Sequence, residues 1–168
     1  MTESTDSHPE IPLDPDAAVP AEGARPVSRH TQPLIVGLVA VGGGLGTAAR
    51  YGVSLALPTT AGRWPLGTFV VNMVGSFVLG ALLEGLVRRG PDSGRRQQAR
   101  LLIGTGFCGA LTTFSALAVE SDLLVRSHNS GLALAYAAAS LAGGLVVTTV
   151  GIAAAAGHHR LRMRPDLP

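Results

Sequence analysis

The polar side chains of this chain that could do chemistry lie inside long apolar stretches. Thr68, Asn72 and Ser76 recur at intervals of four residues, so they share one face of a helix. A second line with the same spacing consists of Tyr136, Ser140, Gly144 and Thr148. Both lines carry N–H and O–H donors but no carboxylate. Hydrogen bonds between helices are enough to explain such residues. The alternative is that the two lines border a permeation route. Donors without acidic groups would suit an anion better than a cation or a proton.

The stretch GFCGALTTFS, residues 106–115, interrupts the apolar run from Leu101 to Val125 with two glycines and two adjacent threonines. We expect the helix to unwind at Gly106–Thr113, which membrane proteins tolerate only where the backbone is buried in protein or lines a cavity. Carbonyls freed there could bind a hard cation such as Na⁺, and half-helix ends can hold ions of either sign. Phe114 follows directly, and the electropositive edge of its ring could contact an anion.

The first apolar stretch contains a glycine-rich run and one arginine. Residues 44–49 fit the G-x-G-x-x-[GA] dinucleotide pattern, but neither a preceding strand nor the later acid is present, so we discount nucleotide binding. The pair Gly42 and Gly46 instead favours close helix packing. Arg50 lies one turn further along the same face, where a charge costs a few kcal/mol. We expect it to face a partner helix or an aqueous vestibule, or to snorkel to the interface.

Four apolar blocks must position these groups: Leu34–Leu57, Leu66–Val87, Leu101–Val125 and Gly131–Gly157. Each is long enough to cross a hydrocarbon core of about 30 Å, and none has the polar face of a helix in a soluble bundle. The sequence therefore predicts an all-α membrane protein with four transmembrane helices in one domain, residues 31–160. Residues 1–30 are proline-rich and acidic and are predicted to be disordered, and residues 161–168 form a C-terminal tail.

The charges between the blocks predict the orientation. All 13 basic residues are arginine, and ten of them lie before the first block, between the second and third, or after the fourth. These segments share one side of a four-helix protein, whereas only Arg63 and Arg126 lie on the other side. The positive-inside rule then places both termini in the cytoplasm.

Three stretches together resemble the CrcB/Fluc fluoride channels: GGGLGTAARY, GTFVVNMVGSF, and GFCGALTTFS with Glu120 and Ser121. Their order and spacing match over roughly residues 42–121, whereas the fourth block matches only in character. The resemblance implies an antiparallel, dual-topology-type dimer of four-helix subunits in the inner membrane of a bacterium. It also implies two fluoride pores that lower cytoplasmic fluoride by passive export, and a structural Na⁺ at the dimer centre.

The resemblance also carries residue roles. It implies that backbone carbonyls of Gly109 and Thr112 hold the Na⁺, that Asn72 is the pore asparagine, and that Phe114 is the first of two pore phenylalanines. Because fluoride is small and strongly hydrated, a narrow pore must replace its water with close donors. Three further hydroxyl groups are candidates for this role: those of Thr68, Ser115 and Tyr136.

One position departs from the family pattern. The second pore phenylalanine is replaced by Leu117, which lacks an electropositive ring edge. Either the pore works with one phenylalanine or another chain supplies the missing rings. Together with the arginine bias, which should fix one orientation, this departure favours a heterodimer with a paralogue over a homodimer. The other expected partners are fluoride and membrane lipid, with no nucleic acid.

Three other classes of function compete with a channel. A proton-coupled multidrug-type exporter needs a carboxylate deep in the membrane, and Glu120 is the one candidate, although it could instead pair with an arginine or cap structure at a dimer interface. A non-conducting accessory subunit stays open because of Leu117. An enzyme is not expected, because the apolar blocks contain no His/Cys/Asp cluster and no nucleophile–base pair.

Overall fold

The computed structural model describes residues 33–162, so the predicted tail at residues 1–30 lies outside the described residues. The helices follow one another along the chain as α1 Pro33–Ala56, α2 Leu66–Val87, α3 Arg95–Ala99, a π-helix Arg100–Cys108, α4 Gly109–Leu111, α5 Phe114–Arg126 and α6 Ser130–Arg162. The pieces from α3 to α5 follow one another within one segment, Arg95–Arg126.

Within residues 33–162, four segments are long and apolar enough to cross a membrane, by length and composition: Pro33–Ala56, Leu66–Val87, Arg95–Arg126 and Ser130–His159. The prediction of four membrane-spanning helices in an all-α protein is confirmed for the described residues. The third segment begins before the apolar block because the polar helix α3 continues into the π-helix without interruption. It is called the third span below.

Glycines bring α1 into backbone contact with the π-helix. A Cβ atom on Gly42 would overlap the carbonyl oxygen of Leu102, and one on Gly46 would overlap that of Phe107. From the opposite side, a Cβ on Gly106 would come within 2.9 Å of the Cα of Gly42. Only hydrogen fits at these three positions, so the glycines fix how closely the two helices approach.

The helices α2 and α6 form a second closely packed pair. A Cβ on Gly80 would lie 2.5 Å from the carbonyl oxygen of Thr148, and one on Gly151 would overlap the carbonyl oxygen of Phe77. Four buried side chains, contributed by α5 and α6, form a small apolar core beside this pair: Leu117, Leu124, Ala133 and Tyr136. Trp64, which precedes α2, and Phe69, in the first turn of α2, pack against that core.

The third span contains two residues with extended backbone between α4 and α5. Thr112 has φ −79° and ψ 151°, and Thr113 has φ −150° and ψ 122°. The expected unwinding of Gly106–Thr113 is therefore wrong for Gly106–Leu111, which is helical. The physical reason is that Gly106 is used for close approach to α1 rather than for an unusual backbone conformation. Thr112–Thr113 is called the extended stretch below.

Candidate functional site

Asn72 bonds to both peptide groups of Thr113. Its Oδ1 accepts the Thr113 N–H at 2.8 Å, and its Nδ2 donates to the Thr113 carbonyl oxygen at 3.1 Å. The side-chain amide of α2 thus replaces the helical partners that the extended stretch lacks. A backbone group without a partner at membrane depth costs several kcal/mol. The sequence predicts that the two amide protons of Asn72 face an anion, but one of them is bonded to the Thr113 carbonyl oxygen.

Threonine side chains complete the junction around the extended stretch. The Thr113 Oγ1 accepts the Ala116 N–H at 3.1 Å and so caps the N-terminus of α5. The same Oγ1 lies 3.0 Å from the hydroxyl oxygen of Ser115, which the sequence predicted as a pore residue. On the other side, the Thr112 Oγ1 donates to the Cys108 carbonyl oxygen at 2.9 Å. These bonds account for why two adjacent threonines stand here.

The two carbonyl groups predicted to hold a cation flank this junction. Gly109 is helical, with φ −62° and ψ −35°, and a Cβ there would meet nothing within 4 Å. Within residues 33–162, the carbonyl oxygens of Gly109 and Thr112 accept no backbone hydrogen bond. The Thr113 N–H, which would reach Gly109 in a helix, donates to Asn72, and the Ala116 N–H, which would reach Thr112, donates to the Thr113 Oγ1. Both oxygens therefore keep their lone pairs for another partner.

An open groove of about 320 Å³ runs beside the extended stretch between α2, α5 and α6. Its polar lining consists of Asn72, Ser76, Thr112, Thr113 and Ser140, and none of the lining residues is acidic or basic. Phe114 lies at its edge with 74% of its surface exposed, whereas Leu117 is 7% exposed and belongs to the apolar core.

The residues of the predicted polar line on α6 have different hydrogen-bond partners. Ser140 is 7% exposed, and its hydroxyl is the one buried side-chain group among the described residues without a hydrogen-bond partner. The Thr148 hydroxyl donates to the carbonyl oxygens of Gly144 at 2.8 Å and Ser76 at 3.4 Å. Since buried hydroxyl groups are normally bonded, Ser140 marks where the groove could accept a ligand.

Tyr136, the first residue of that polar line, belongs to a separate group of residues, the Glu120 cluster. It comprises Glu120 and the three hydroxyl groups that donate to its carboxylate. Tyr136 donates to Oε2 at 2.6 Å, and Thr68 and Thr59 donate to Oε1 at 2.7 and 3.5 Å. Glu120 makes no ion pair with any residue of 33–162. Two hydroxyls predicted to face an anion thus donate to a carboxylate that comes from another helix.

Arg50 lies next to this cluster without bonding to it. It is half-buried and lines a cavity of about 80 Å³ together with Ser54, Thr68 and Glu120. Among the described residues it forms no hydrogen bond or ion pair. A second cavity of about 400 Å³, lined by Arg63 and other residues of the α1–α2 loop, reaches Glu120 from the other direction.

Sequence reasoning missed three residues of this region. Thr59 and Trp64 belong to the α1–α2 loop, residues 57–65, where helical periodicity provides no signal. The role of Thr113 could have been found, because a threonine directly before a helix is a common N-cap. The bond from its peptide group to Asn72 could not, since the two residues are 41 positions apart.

Comparison with known proteins gives consistent results. A family model described as "CrcB-like protein, Camphor Resistance (CrcB)" matches residues 37–152. The chain is 50% identical over 128 residues to "Fluoride-specific ion channel FluC 2" of Leifsonia xyli, covering 76% of this chain and 86% of that protein. It is 47% identical over 123 residues to "Fluoride-specific ion channel FluC 1" of Cutibacterium acnes, covering 73% and 86%. For "Fluoride-specific ion channel FluC" of Gloeobacter violaceus, the identity is 45% over 120 residues, covering 70% and 93%.

Proposed function

Since the chain belongs to the CrcB family, whose members are ion channels and not enzymes, we propose that it is a fluoride-selective channel subunit that lets fluoride leave the cytoplasm passively. The resemblance carried by the three sequence motifs is confirmed, and the chain is a multi-pass membrane protein. The observation that supports the proposal most directly is the groove beside the extended stretch. It offers hydroxyl and amide donors with no acidic side chain.

Fluoride needs several close donors to replace its water. The Ser140 hydroxyl has no partner among the described residues, and Asn72 keeps one amide proton besides the one bonded to Thr113. The exposed ring of Phe114 can turn an electropositive edge toward an anion. These three groups come from different helices and surround one groove, which fits a desolvated anion. The hydroxyls of Thr68 and Tyr136 donate to Glu120, so they would bind fluoride only by giving up those hydrogen bonds.

We propose that the groove is completed by a second, antiparallel subunit. Phe114 is largely exposed although it follows the junction that Asn72 stabilises, so its ring is available to another chain. The ten arginines on one side favour an orientation in a bacterial inner membrane with both termini facing the cytoplasm. A paralogue of opposite charge bias would then insert the other way. It would also supply the aromatic groups that Leu117 lacks, which favours the heterodimer.

The carbonyl oxygens of Gly109 and Thr112 fit a structural Na⁺ shared between the two subunits. Hard cations prefer oxygen ligands, and the broken helices of membrane transporters supply such carbonyls. Gly109 faces open space, so another subunit can approach its backbone. The ion would supply positive charge that holds two copies of the junction together. The test is the stability of the purified dimer in Na⁺ compared with N-methylglucamine: equal stability would argue against the site.

Fluoride efflux from liposomes tests the function. The purified chain is reconstituted alone and then together with a paralogue. Fluoride efflux is measured with a fluoride electrode while the proton gradient across the membrane is held constant. We expect fluoride flux without proton coupling and with negligible chloride flux. Flux that appears only with the paralogue supports the heterodimer. Flux driven by a proton gradient would support the exporter in which Glu120 carries the proton, and folded protein that conducts in neither preparation would overturn the proposal.

Orientation is tested independently of flux. Reporters active on only one side of the membrane are fused to both termini of the chain expressed alone. We expect both termini in the cytoplasm. Similar amounts of the two orientations, together with an active channel from the single chain, would contradict the heterodimer.

A further inference from the structure

The aromatic ring of Trp64 packs directly on a member of the Glu120 cluster. Its ring centroid lies 5.4 Å from that of Tyr136, with an angle of 79° between the planes, an edge-to-face contact. Tyr136 is fully buried, and its hydroxyl donates to Glu120 at 2.6 Å. We infer that Trp64 is a positioning residue that fixes the Tyr136 ring so that its hydroxyl stays on Glu120. This inference rests on the proposed function only where it concerns ion flux.

The α1–α2 loop holds Trp64 in place. Pro65 is fully buried, and the Leu66 N–H donates to the Trp64 carbonyl oxygen at 2.9 Å. Within the same loop, the Arg63 N–H donates to the Thr60 carbonyl oxygen at 3.1 Å. On its other side, the Trp64 ring meets Phe69 edge to face at 5.6 Å. The indole of Trp64 therefore has little freedom to tilt, and neither does the Tyr136 ring that packs against it.

The same loop reaches the Glu120 carboxylate from a second direction through Thr59, which donates to Oε1. Two of the three donors to Glu120 thus depend on residues 57–65, one by a direct bond and one through an aromatic contact. Thr68, the third donor, lies in the first turn of α2, next to Phe69, whose ring packs against Trp64. A change of loop conformation would alter the donors around Glu120 together, so the loop sets the geometry of the cluster.

Trp64 is the one tryptophan of the chain, and Tyr136 is one of two tyrosines, the other being Tyr51. In a Tyr51→Phe background, the infrared C–O band of ring-labelled tyrosine reports the hydrogen bond of Tyr136 alone. Trp64→Leu should shift this band toward its position in Glu120→Gln, where the charged acceptor is lost. Trp64→Phe, which keeps a ring, should leave the band close to its original position.

Flux gives the second measurement, made on the assembled channel. Tyr136→Phe and Trp64→Leu should each lower fluoride flux by roughly twofold to tenfold, the change in rate that corresponds to one net hydrogen bond. The double variant should be no slower than Tyr136→Phe, because Trp64 acts through that hydroxyl. Leu132→Ala is the control, since it loosens packing on the same core without removing the aromatic contact, and flux per folded channel should be unchanged.

The two measurements separate the possible failures. If the infrared band does not move in Trp64→Leu, or if the losses of flux in the double variant multiply, the inference is wrong. If the band moves but flux is unchanged, Trp64 still positions Tyr136, and the cluster is not on the fluoride route. Should Trp64→Leu fail to fold, Trp64→Met fills the site with a flexible apolar side chain and is measured in its place.

Discussion

Replacing Asn72 by alanine separates two roles that this residue could have. The variant removes both bonds to the Thr113 peptide group, at 2.8 and 3.1 Å. Side-chain hydrogen bonds between membrane helices contribute about 0.6 kcal/mol on average and about 1.7 kcal/mol at most. Two lost bonds should therefore lower the free energy of unfolding by about 1 to 3.5 kcal/mol. Asn72→Asp should cost at least as much, because it turns a carboxylate oxygen toward the Thr113 carbonyl.

The assay compares unfolding of the purified chain in mixed micelles with fluoride flux per folded channel. Ser76→Ala is the matched control: it lies one turn along the same helix face and lines the same groove, and its hydroxyl has no hydrogen bond among the described residues. Its unfolding free energy should stay within about 0.5 kcal/mol of the unmodified chain. If Asn72→Ala is equally stable but has lost its flux, Asn72 acts on the ion and not on the backbone, and the reasoning from the Thr113 pairing fails.

Four other substitutions have definite outcomes. Gly42→Ala should destabilise the chain by about 1 to 3 kcal/mol, because the new methyl group overlaps the Leu102 carbonyl. Gly44→Ala meets nothing within 4 Å and should stabilise the chain by about 0.5 to 1 kcal/mol. Thermal unfolding of the two variants distinguishes these outcomes. His128 has a left-handed backbone with φ 61°, so His128→Gly should raise stability by up to about 1 kcal/mol, and a loss would show that this strain is absent. Phe114→Ala should change the unfolding free energy by less than about 0.5 kcal/mol yet lower fluoride flux, and unchanged flux would remove the ring from the route.

The membrane helices were predictable because their signal is local. The apolar block Leu66–Val87 coincides with α2, and the spacing of Thr68, Asn72 and Ser76 correctly places them on one face of that helix, with Asn72 and Ser76 in one groove. What meets that face is not local. Glu120 and Thr113 reach it from α5 and the extended stretch, more than 40 positions away along the chain. Periodicity predicts which residues share a face but not which residues lie opposite.

The third span shows why the position of the helix interruption was harder to predict. Glycine and threonine both predict unwinding here, but Gly106 and Gly109 are helical and only the threonines are extended. A glycine in a membrane helix serves either close packing or unusual backbone angles, and sequence alone does not separate the two uses. The partner of Gly106 is α1, so the distinction depends on tertiary contacts.

The bond between Asn72 and Thr113 has a consequence for biogenesis. During synthesis the second span leaves the ribosome before the third, so the amide of Asn72 is already in the bilayer when Thr113 arrives. A third span that entered alone would bring two peptide groups without partners into the lipid, at a cost of several kcal/mol. Its insertion is therefore expected to depend on the span made just before it. We expect a chain engineered to present the third span first to insert that span less efficiently, although its residues are unchanged.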